Sequence, residues 1–452
     1  MSSIDTINVT VHLMNGEDHF NIKPSATIKD LKHMIAANET LLYPQVARQS
    51  LTFQPEKDGP FKKLNNDCTL ESYGITNDTR ISLVVEPLIP EIPGRTIELL
   101  LKHLQEANTE ECISLLERYE GKLYFRGNHL YPEEVNILSN VLLRNNTIAV
   151  LNLSNTLEID SVHLLAPVLI SNSSITSLSL CNNRLSTGDI SALASALMHN
   201  KVITILDLSS TNLTPESARE LVPLLIENSV IKTLSLANNN LGAQGIAELE
   251  SGLAENKSIT RLILSLNNLG HTGAQSLARI LSVNTSIIEL DLSSNSLGTR
   301  GVKELVHGLE TNFNITTLDL RNNRIECDGA AELISKTMFI QNLSLNNNNI
   351  GLNCVNELVE ALSQNNSITN LDLNSNGFGP DGAIVLAEGL TNNIAITTLN
   401  VSENRFGREA AFVFAAALTE NFSLTVLDIR YNDFDREGCE TLARIRPTLR
   451  LL

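Results

Sequence analysis

A unit of about 28 residues recurs along most of this chain, and that recurrence limits the fold more than any other feature. The stretch 231–256 reads IKTLSLANNNLGAQGIAELESGLAEN, and 28 residues later 259–284 reads ITRLILSLNNLGHTGAQSLARILSVN. A fixed period of this size predicts an array in which each unit covers the apolar face of its neighbour. The leucine that opens each of twelve units lies at Leu123, Leu151, Leu178, Leu206, Leu234, Leu262, Leu290, Leu318, Leu343, Leu371, Leu399 and Leu427.

Each unit contains a strand, a turn and a helix. Leu262 and Leu264 alternate with other residues, which predicts a short strand with both leucines on one face. Asn267 follows at the turn, where a buried amide can satisfy backbone groups of adjacent coils and form a ladder. The segment 273–281 has apolar residues at helical spacing. A strand on one side and a wider helix on the other make each unit a wedge, so the stack is expected to curve with its strands inside.

The pattern L-x-x-L-x-L-x-x-N-x-L followed by a helix resembles leucine-rich repeats of the ribonuclease-inhibitor-like class. The resemblance implies an α/β fold, a right-handed horseshoe-shaped solenoid of about twelve repeats over residues 122–452. It also implies protein binding on the concave face. Arrays of this kind resemble those of NOD-like receptors, of the Ran GTPase-activating protein and of effectors that bacteria deliver to host cells.

Residues 1–86 follow a different pattern. The stretch 8–22 alternates around an Asn15-Gly16 turn, which predicts a β-hairpin. Residues 27–37 predict an amphipathic helix capped by Ser25 or Thr27, and strands are expected at 51–53 and 81–85. Residues 7–85 are similar to ubiquitin, and TLESYGI at 69–75 looks like ubiquitin's segment before its last strand. The resemblance implies a β-grasp, ubiquitin-like domain.

Two departures from ubiquitin limit what this domain can do. No Gly-Gly follows the last strand, where the chain runs Val-Val-Glu-Pro at 84–87, so conjugation is not expected. Of the three positions that form ubiquitin's apolar patch, Met14 and Val84 stay apolar, but the central one is Thr52. The domain is therefore interpreted as a docking surface or an N-terminal cover, with recognition through the patch as the alternative.

The ends and the early coils carry their own signals. Residues 87–95 are a Pro-rich linker. Residues 96–121 predict two short helices that break near Asn108 and cap the first coil, and 442–452 is expected to close the other end.

Thr156 and Thr211 replace the turn asparagine in the second and fourth units, whose helices contain Pro167 and Pro223.

A proline in a helix interior removes a hydrogen bond, so these two helices are expected to start late or kink. Local irregularity and an adaptation for binding both remain open as explanations. The step from Leu318 to Leu343 is 25 residues, which predicts one shortened helix.

Charge and composition exclude several functions. Lys and Arg total 33 against 51 for Asp and Glu, a net charge of −18, which disfavours nucleic acid as a partner. No stretch reaches the ~20 apolar residues of a membrane span, and the start does not resemble a signal peptide. A cytoplasmic location is expected, in the host cytosol if the protein is a translocated bacterial effector. The six scattered cysteines are expected to be reduced, and no spacing predicts a metal site.

No motif in the chain predicts catalysis. The nucleophile elbow, the P-loop and the dinucleotide-binding fingerprint are all missing from the sequence, so no enzyme activity and no cofactor are expected.

The outward strand positions are the candidate binding residues. A solvated face is the plain explanation for each one, but like charges on adjacent strands destabilise a sheet, so their recurrence favours a partner with a basic surface. The predicted protein-binding residues are Arg261, Glu289, Asp291, Asp319, Arg321, Asp372, Asp428, Arg430 and Tyr431.

These observations predict a non-catalytic adaptor that binds a protein on its concave face. Its ubiquitin-like domain would add a second docking surface, for ubiquitin-pathway or proteasome components. One alternative is a regulatory solenoid that activates a small GTPase or inhibits an enzyme. The other is a ubiquitin-ligase component without chemistry of its own.

Overall fold

The computed structural model describes residues 92, 94–119, 121–125, 127–351, 355–445 and 450–451, together with the backbone of five N-terminal strands. The chain divides into two compact units, Met1–Pro90 and Glu91–Leu452.

The N-terminal unit contains one mixed sheet of five strands in the order β2-β1-β5-β3-β4. Strand β1 pairs antiparallel with β2 and parallel with β5, while β3 is antiparallel to β4 and β5. The strands are β1 (Ile7–Leu13), β2 (Gly16–Ile22), β3 (Gln49–Phe53), β4 (Lys62–Lys63) and β5 (Thr79–Val85).

The hairpin expected around Asn15-Gly16 is formed by β1 and β2, and Gly16 already belongs to β2, where it pairs with Leu13. Residues 14 and 15 lie outside the described residues. The predicted helix at 27–37, the segment 69–75 and Met14 lie outside the described residues. Thr52 pairs with Ser82 and Val84 with Ser50, so both patch positions lie on paired strands.

Two helices precede the repeats, as predicted: α1 (Gly94–Gln105) and α2 (Thr109–Leu116). Asn108 is the N-cap of α2 and accepts a hydrogen bond from the backbone N–H of Glu111. Leu100, Leu104 and Leu116 are buried in the same core as Leu123 of the first repeat strand. These helices therefore cover the apolar face of the first coil.

The repeat strands form one parallel sheet in strict chain order, with each opening leucine paired to the next, as in Leu262 with Leu290. Over the described residues the sheet has 13 strands, because a final short strand follows the twelve that the repeat predicts. The strands are β6 (Gly121–Tyr124), β7 (Ile148–Asn152), β8 (Ser177–Ser179), β9 (Ile205–Asp207), β10 (Thr233–Ser235), β11 (Arg261–Ile263), β12 (Glu289–Asp291), β13 (Thr317–Asp319), β14 (Asn342–Ser344), β15 (Asn370–Asp372), β16 (Thr398–Asn400), β17 (Val426–Asp428) and β18 (Arg450–Leu451).

Each repeat strand leads into helical structure on the opposite face of the unit. This alternation is the α/β solenoid expected from the sequence, and it is consistent with a horseshoe. The α-helices are α3 (Pro132–Arg144), α4 (Ala166–Ser171), α5 (Thr187–Met198), α6 (Pro215–Glu220), α7 (Val222–Glu227), α8 (Gly242–Glu255), α9 (Gly270–Val283), α10 (Gly298–Leu309), α11 (Glu326–Lys336), α12 (Val355–Gln364), α13 (Gly379–Asn392), α14 (Ala410–Glu420) and α15 (Arg436–Ala443).

The predicted ladder of turn asparagines is confirmed. Asn295 is fully buried, and its Nδ2 donates to the carbonyl oxygens of Leu264 in the preceding coil and Leu292 in its own, each at 2.9 Å. Its Oδ1 accepts the backbone N–H of Asn267 at 2.9 Å. The amide thereby satisfies backbone groups that the sheet leaves unpaired. The buried members are Asn183, Asn239, Asn267, Asn295, Asn323, Asn348, Asn376, Asn404 and Asn432.

A second asparagine ladder follows the ends of the helices, and the sequence did not reveal it. Asn284 donates through Nδ2 to the carbonyl oxygens of Leu253 at 2.7 Å and Asn256 at 3.0 Å. Its Oδ1 accepts the backbone N–H groups of Ser286 and Ile287. The two ladders explain why this repeat is rich in asparagine. The buried members are Asn145, Asn172, Asn200, Asn228, Asn256, Asn284, Asn312, Asn365, Asn393 and Asn421.

The irregular coils break where the prolines predict. In the second unit a 3₁₀ helix, Val162–Leu165, precedes α4, and Pro167 lies in the first turn of that α-helix. In the fourth unit Leu221 separates α6 from α7, and Pro223 lies in the first turn of α7. A proline is tolerated there because the first N–H groups of a helix have no partner within the helix. The 25-residue unit has an 11-residue helix, α11, where α8 and α9 have 14 each, so the predicted shortening is confirmed.

One expectation about the cysteines was wrong. Cys327 is disulfide-bonded, although Cys112, Cys181 and Cys439 are free. The spacing of the cysteines along the chain did not reveal this bond. No helix among the described residues combines the length and apolar character of a membrane span.

Candidate interaction surface

The outward side chain after each opening leucine forms a row across the sheet, and most members bond to their own backbone. Asp291 accepts the backbone N–H of Ser293 through Oδ1 at 2.9 Å, and Asp372 accepts that of Asn374 at 3.0 Å. Asn400 does the same for Ser402 without a charge. This bond to the backbone therefore needs a side-chain oxygen, but it does not need a negative charge.

The predicted aspartates do not form a continuous row of adjacent carboxylates across the sheet. Strand pairing places Asp291 directly opposite Asp319, but Ser344 separates Asp319 from Asp372, and Asn400 separates Asp372 from Asp428. Only one pair of like charges is therefore in direct register, and repulsion across the sheet is concentrated there.

Two of the four aspartates are paired with an arginine of their own coil. Arg321 approaches Asp319 with Nη2 at 2.7 Å from Oδ2, and Arg430 donates through Nε to Asp428 Oδ1 at 2.9 Å. The bond from Arg430 lowers the pKa of Asp428 below its ordinary value. Both arginines remain about half exposed, with 46 % and 54 % of their side chains accessible.

Asp291 and Asp372 carry no such partner among the described residues. Burial raises the pKa of Asp372 above its ordinary value, although the Asn374 N–H and the charge of Arg321 act in the opposite direction. At neutral pH this surface therefore holds two carboxylates whose charge the protein itself does not neutralise directly. A cationic group of another molecule would relieve that charge.

Arg261 and Glu289 occupy the outward position before the opening leucine on neighbouring strands. Their side chains approach to 3.4 Å, and each is about half exposed, so the pair contributes little to stability. Both charges are open to a partner.

The early coils present a different, self-contained surface. Ser179 donates to Asp207 at 2.9 Å, and Ser209 donates to the same carboxylate at 2.6 Å. The chain of hydrogen bonds continues to Ser154 at 3.0 Å on one side and to Ser235 at 2.6 Å on the other. These hydroxyls are used within the sheet, so the charged later coils are the better candidate for contact with a partner.

Tyr431 is the predicted residue with the greatest exposure, at 74 %. It lines two cavities at the C-terminal coils, one polar and of about 510 Å³, the other apolar and of about 490 Å³. The apolar cavity is also lined by Phe434, Leu442 and Cys439. An exposed tyrosine between two recesses is the kind of side chain that contributes strongly to protein association.

The sequence interpretation missed an apolar row on the opposite rim. Phe313 and Phe339 lie in adjacent coils with their rings edge to face at 4.9 Å, and both are exposed. Met338, next to Phe339 in the chain, is 72 % exposed, and Ile394, two coils further on, is 80 % exposed. The sequence pattern that could have revealed these exposed residues is an apolar residue at or near the position that follows the helix-end asparagine.

The described residues contain no group of three or more His, Cys, Asp or Glu side chains placed to hold a metal ion. What the surface offers instead is charge, hydrogen-bonding groups and exposed aromatic rings on rigid strands. These features recognise a macromolecule by complementarity.

Comparison with known proteins agrees with the repeat. The profile described as Leucine Rich repeat matches seven segments, at residues 199–222, 227–249, 255–278, 283–306, 311–333, 364–387 and 420–443. No curated protein matches the chain. Among solved structures, the chain is similar to the leucine-rich repeat-containing protein LegL7 from Legionella pneumophila. The identity is 20 %, the match covers 62 % of this chain and 82 % of that one, and the TM-score is 0.41. The seven matched segments show that this protein contains leucine-rich repeats, and its parallel strands and helices stack them as an α/β solenoid.

Proposed function

We propose that this protein is a non-catalytic interaction scaffold that binds a protein partner with a basic surface. The contact would be made by the sheet face and rim of its later coils. The observation that carries the proposal is the pair of unneutralised carboxylates, Asp291 and Asp372, beside half-exposed Arg321 and Arg430. Complementary charge would steer and orient the partner.

The chemistry of the strands supports this proposal. Asn152 and Asn400 make the same backbone bond as the aspartates, so folding does not require the negative charge at these positions. Asp291 and Asp319 even stand in direct register, where like charges destabilise a sheet. A charge that the fold neither needs nor favours is best explained by a contact outside the chain.

The N-terminal unit would provide a second docking surface with a ubiquitin-like fold. Support comes from the strand order β2-β1-β5-β3-β4, in which β1 and β5 are parallel neighbours. A parallel pair requires a crossover connection, and helices usually supply it, in keeping with the helix predicted at 27–37. A second site on the same chain raises the effective concentration of the partner.

The test is affinity purification from cell lysate with the full chain and a variant that carries four Asp→Asn substitutions, at Asp291, Asp319, Asp372 and Asp428. Asparagine keeps the acceptor for the backbone N–H, so the fold is expected to persist while four charges are lost. We expect the principal bound protein to be lost, and binding by the native chain to weaken as salt is raised.

A matched control removes four exposed helix carboxylates instead, with Glu→Gln at Glu227, Glu255, Glu388 and Glu420. The change in net charge is the same, but the sheet face is untouched, so this variant should bind like the native chain. Equal binding by both variants would place the interface elsewhere and refute the proposal.

A further inference from the structure

One repeat position in the lining of the polar cavity at the C-terminal coils lacks a side chain. Asn349, Gly377 and Arg405 occupy the same position in three consecutive coils, and all three have left-handed backbone, with φ of 56°, 72° and 58°. A Cβ added to Gly377 would meet no atom within 4 Å. The backbone there accepts a side chain, and the space for one is open.

The walls of this Gly377 pocket are polar and carry one exposed aromatic ring. Glu403 and Asp433 supply carboxylates, and Tyr431 supplies the ring. A volume of about 510 Å³ is large enough for a long side chain, and the pocket opens to solvent. The remaining lining residues are Asn347, Asn349, Ser375, Asn376 and Arg405.

The balance of charge in the pocket is negative. Arg405 is the only cation in its lining, against two carboxylates. The nearby Arg408 forms an ion pair with Asp435, with its Nε 2.7 Å from Oδ2, and Arg430 is hydrogen-bonded to Asp428. Among the described contacts, the Glu403 carboxylate in this lining accepts a single hydrogen bond, from the Ser375 hydroxyl at 3.0 Å.

We propose that the Gly377 pocket binds an arginine side chain of the protein partner. A planar guanidinium carries five donors that match carboxylate and amide oxygens, and its face stacks on an aromatic ring. Glu403, Asp433 and Tyr431 provide both kinds of contact. A lysine ammonium would satisfy the charge but neither the fork geometry nor the stacking. The inference rests on the proposed function and names one element of the partner.

The first test uses N-acetyl-arginine amide as the probe and the full chain labelled with ¹³C in its tyrosine rings. The chain has six tyrosines, so the Tyr431 signal can be assigned with Tyr431→Phe. We expect that signal to shift and saturate with the arginine compound. The uncharged isostere N-acetyl-citrulline amide should leave it unmoved. Equal responses to the two compounds, or no response to either, would overturn the proposal.

The second test fills the pocket. Gly377→Asn is expected to fold normally, because Asn349 holds the same backbone conformation one coil away. The Tyr431 response to the arginine compound should disappear. Ser296→Asn is the matched control, since Ser296 has a φ of 54° at the same repeat position outside the pocket. A response retained in Gly377→Asn, or lost in Ser296→Asn, would contradict the assignment.

The partner captured by the native chain separates this inference from the proposed function. Gly377→Asn should weaken its binding by at least about tenfold, the loss expected for one buried charged anchor. If the four-aspartate variant loses the partner while Gly377→Asn keeps it, the interaction surface stands and the arginine pocket is refuted. If both retain it, both proposals fail.

Discussion

Asp372 and Asp428 occupy the same place in their strands, yet their surroundings move their pKa values in opposite directions. Burial raises that of Asp372, while the bond from Arg430 lowers that of Asp428. A carboxyl with a raised pKa destabilises the fold at pH values above that pKa, because the folded state disfavours its charge. A carboxyl with a lowered pKa stabilises the fold above its unfolded value, about 3.9, and loses this effect as the pH falls further.

We therefore predict that Asp372→Asn raises the free energy of unfolding at pH 7 and that Asp428→Asn lowers it. Both variants keep the oxygen that accepts the backbone N–H. As the pH falls from about 7 to about 4, the gain in Asp372→Asn should shrink, while the loss in Asp428→Asn should persist over most of that range. Urea unfolding across this range measures both. Shifts of the same sign at pH 7 would contradict the assignment of the two environments.

At the scale of single residues, the sequence predicted which side chains lie on the outward face, but not which hydrogen bonds and ion pairs they form. Periodicity alone placed Asp291 and Asp319 on the outward face. It did not show that each accepts a backbone N–H, nor that Arg321 and Arg430 pair within their own coils. Those facts depend on side-chain rotamers, which a repeat pattern does not specify. Gly377 was visible as a glycine at a polar position, and aligning the repeats on that position would have revealed the pocket.

Among the elements, helix packing depends on glycines that let neighbouring coils approach. A Cβ added to Gly308 of α10 would lie 2.8 Å from the Cα of Ala278 in α9. The obstacle is backbone, which cannot rotate away. For a Cβ added at Gly252 of α8 the nearest atom would be the Cβ of Leu225, at 2.9 Å, and the nearest backbone atom, the Cα of Val222, would be 3.3 Å away.

Gly308→Ala is therefore predicted to destabilise the protein by about 1–2 kcal/mol, since overpacking costs more than the ~1 kcal/mol gained in helix propensity. Gly252→Ala should cost less, because its closest approach would be 2.9 Å, to the Cβ of Leu225, whereas a Cβ at Gly308 would lie 2.3 Å from the carbonyl oxygen of Ala278. Urea unfolding of the two variants provides the comparison. A Gly308→Ala protein as stable as the native one would mean that α9 and α10 separate at little cost.

Helix breaks were predictable because proline acts locally: Pro167 and Pro223 each mark the first turn of a restarted helix. The close approach at Gly308 was not, because it depends on how two coils fit together. The spacing of the cysteines did not predict the disulfide at Cys327 either.

For the whole molecule, the core of the repeat unit begins at Ile92. Its side chain is 3 % exposed, and its backbone N–H bonds to the carbonyl of Lys122 at 3.0 Å. We predict that a chain starting at residue 91 keeps the thermal midpoint of the repeat unit within about 3 °C of the full chain. Calorimetry of both chains tests this. A fall of more than about 10 °C would show that residues 1–90 are needed for the stability of the solenoid.

The whole architecture was predictable to the extent that it repeats. A pattern seen once is ambiguous, but a leucine pattern that returns twelve times fixes the strand register, because each Leu must meet the next. The N-terminal unit has no such redundancy, and Gly16, predicted as part of the turn, already belongs to β2.

The two asparagine ladders share a direction, and that direction bears on how the protein is made. Asn295 and Asn284 each donate to carbonyls of the coil before them, and Asn295 also accepts a backbone N–H of that coil. A coil that emerges from the ribosome therefore keeps backbone carbonyl and N–H groups without their asparagine partner until the next coil has been translated. Folding would then advance along the nascent chain from its N-terminus, one repeat behind synthesis. On a stalled ribosome, the last coil would lack the hydrogen bonds that the next asparagine supplies.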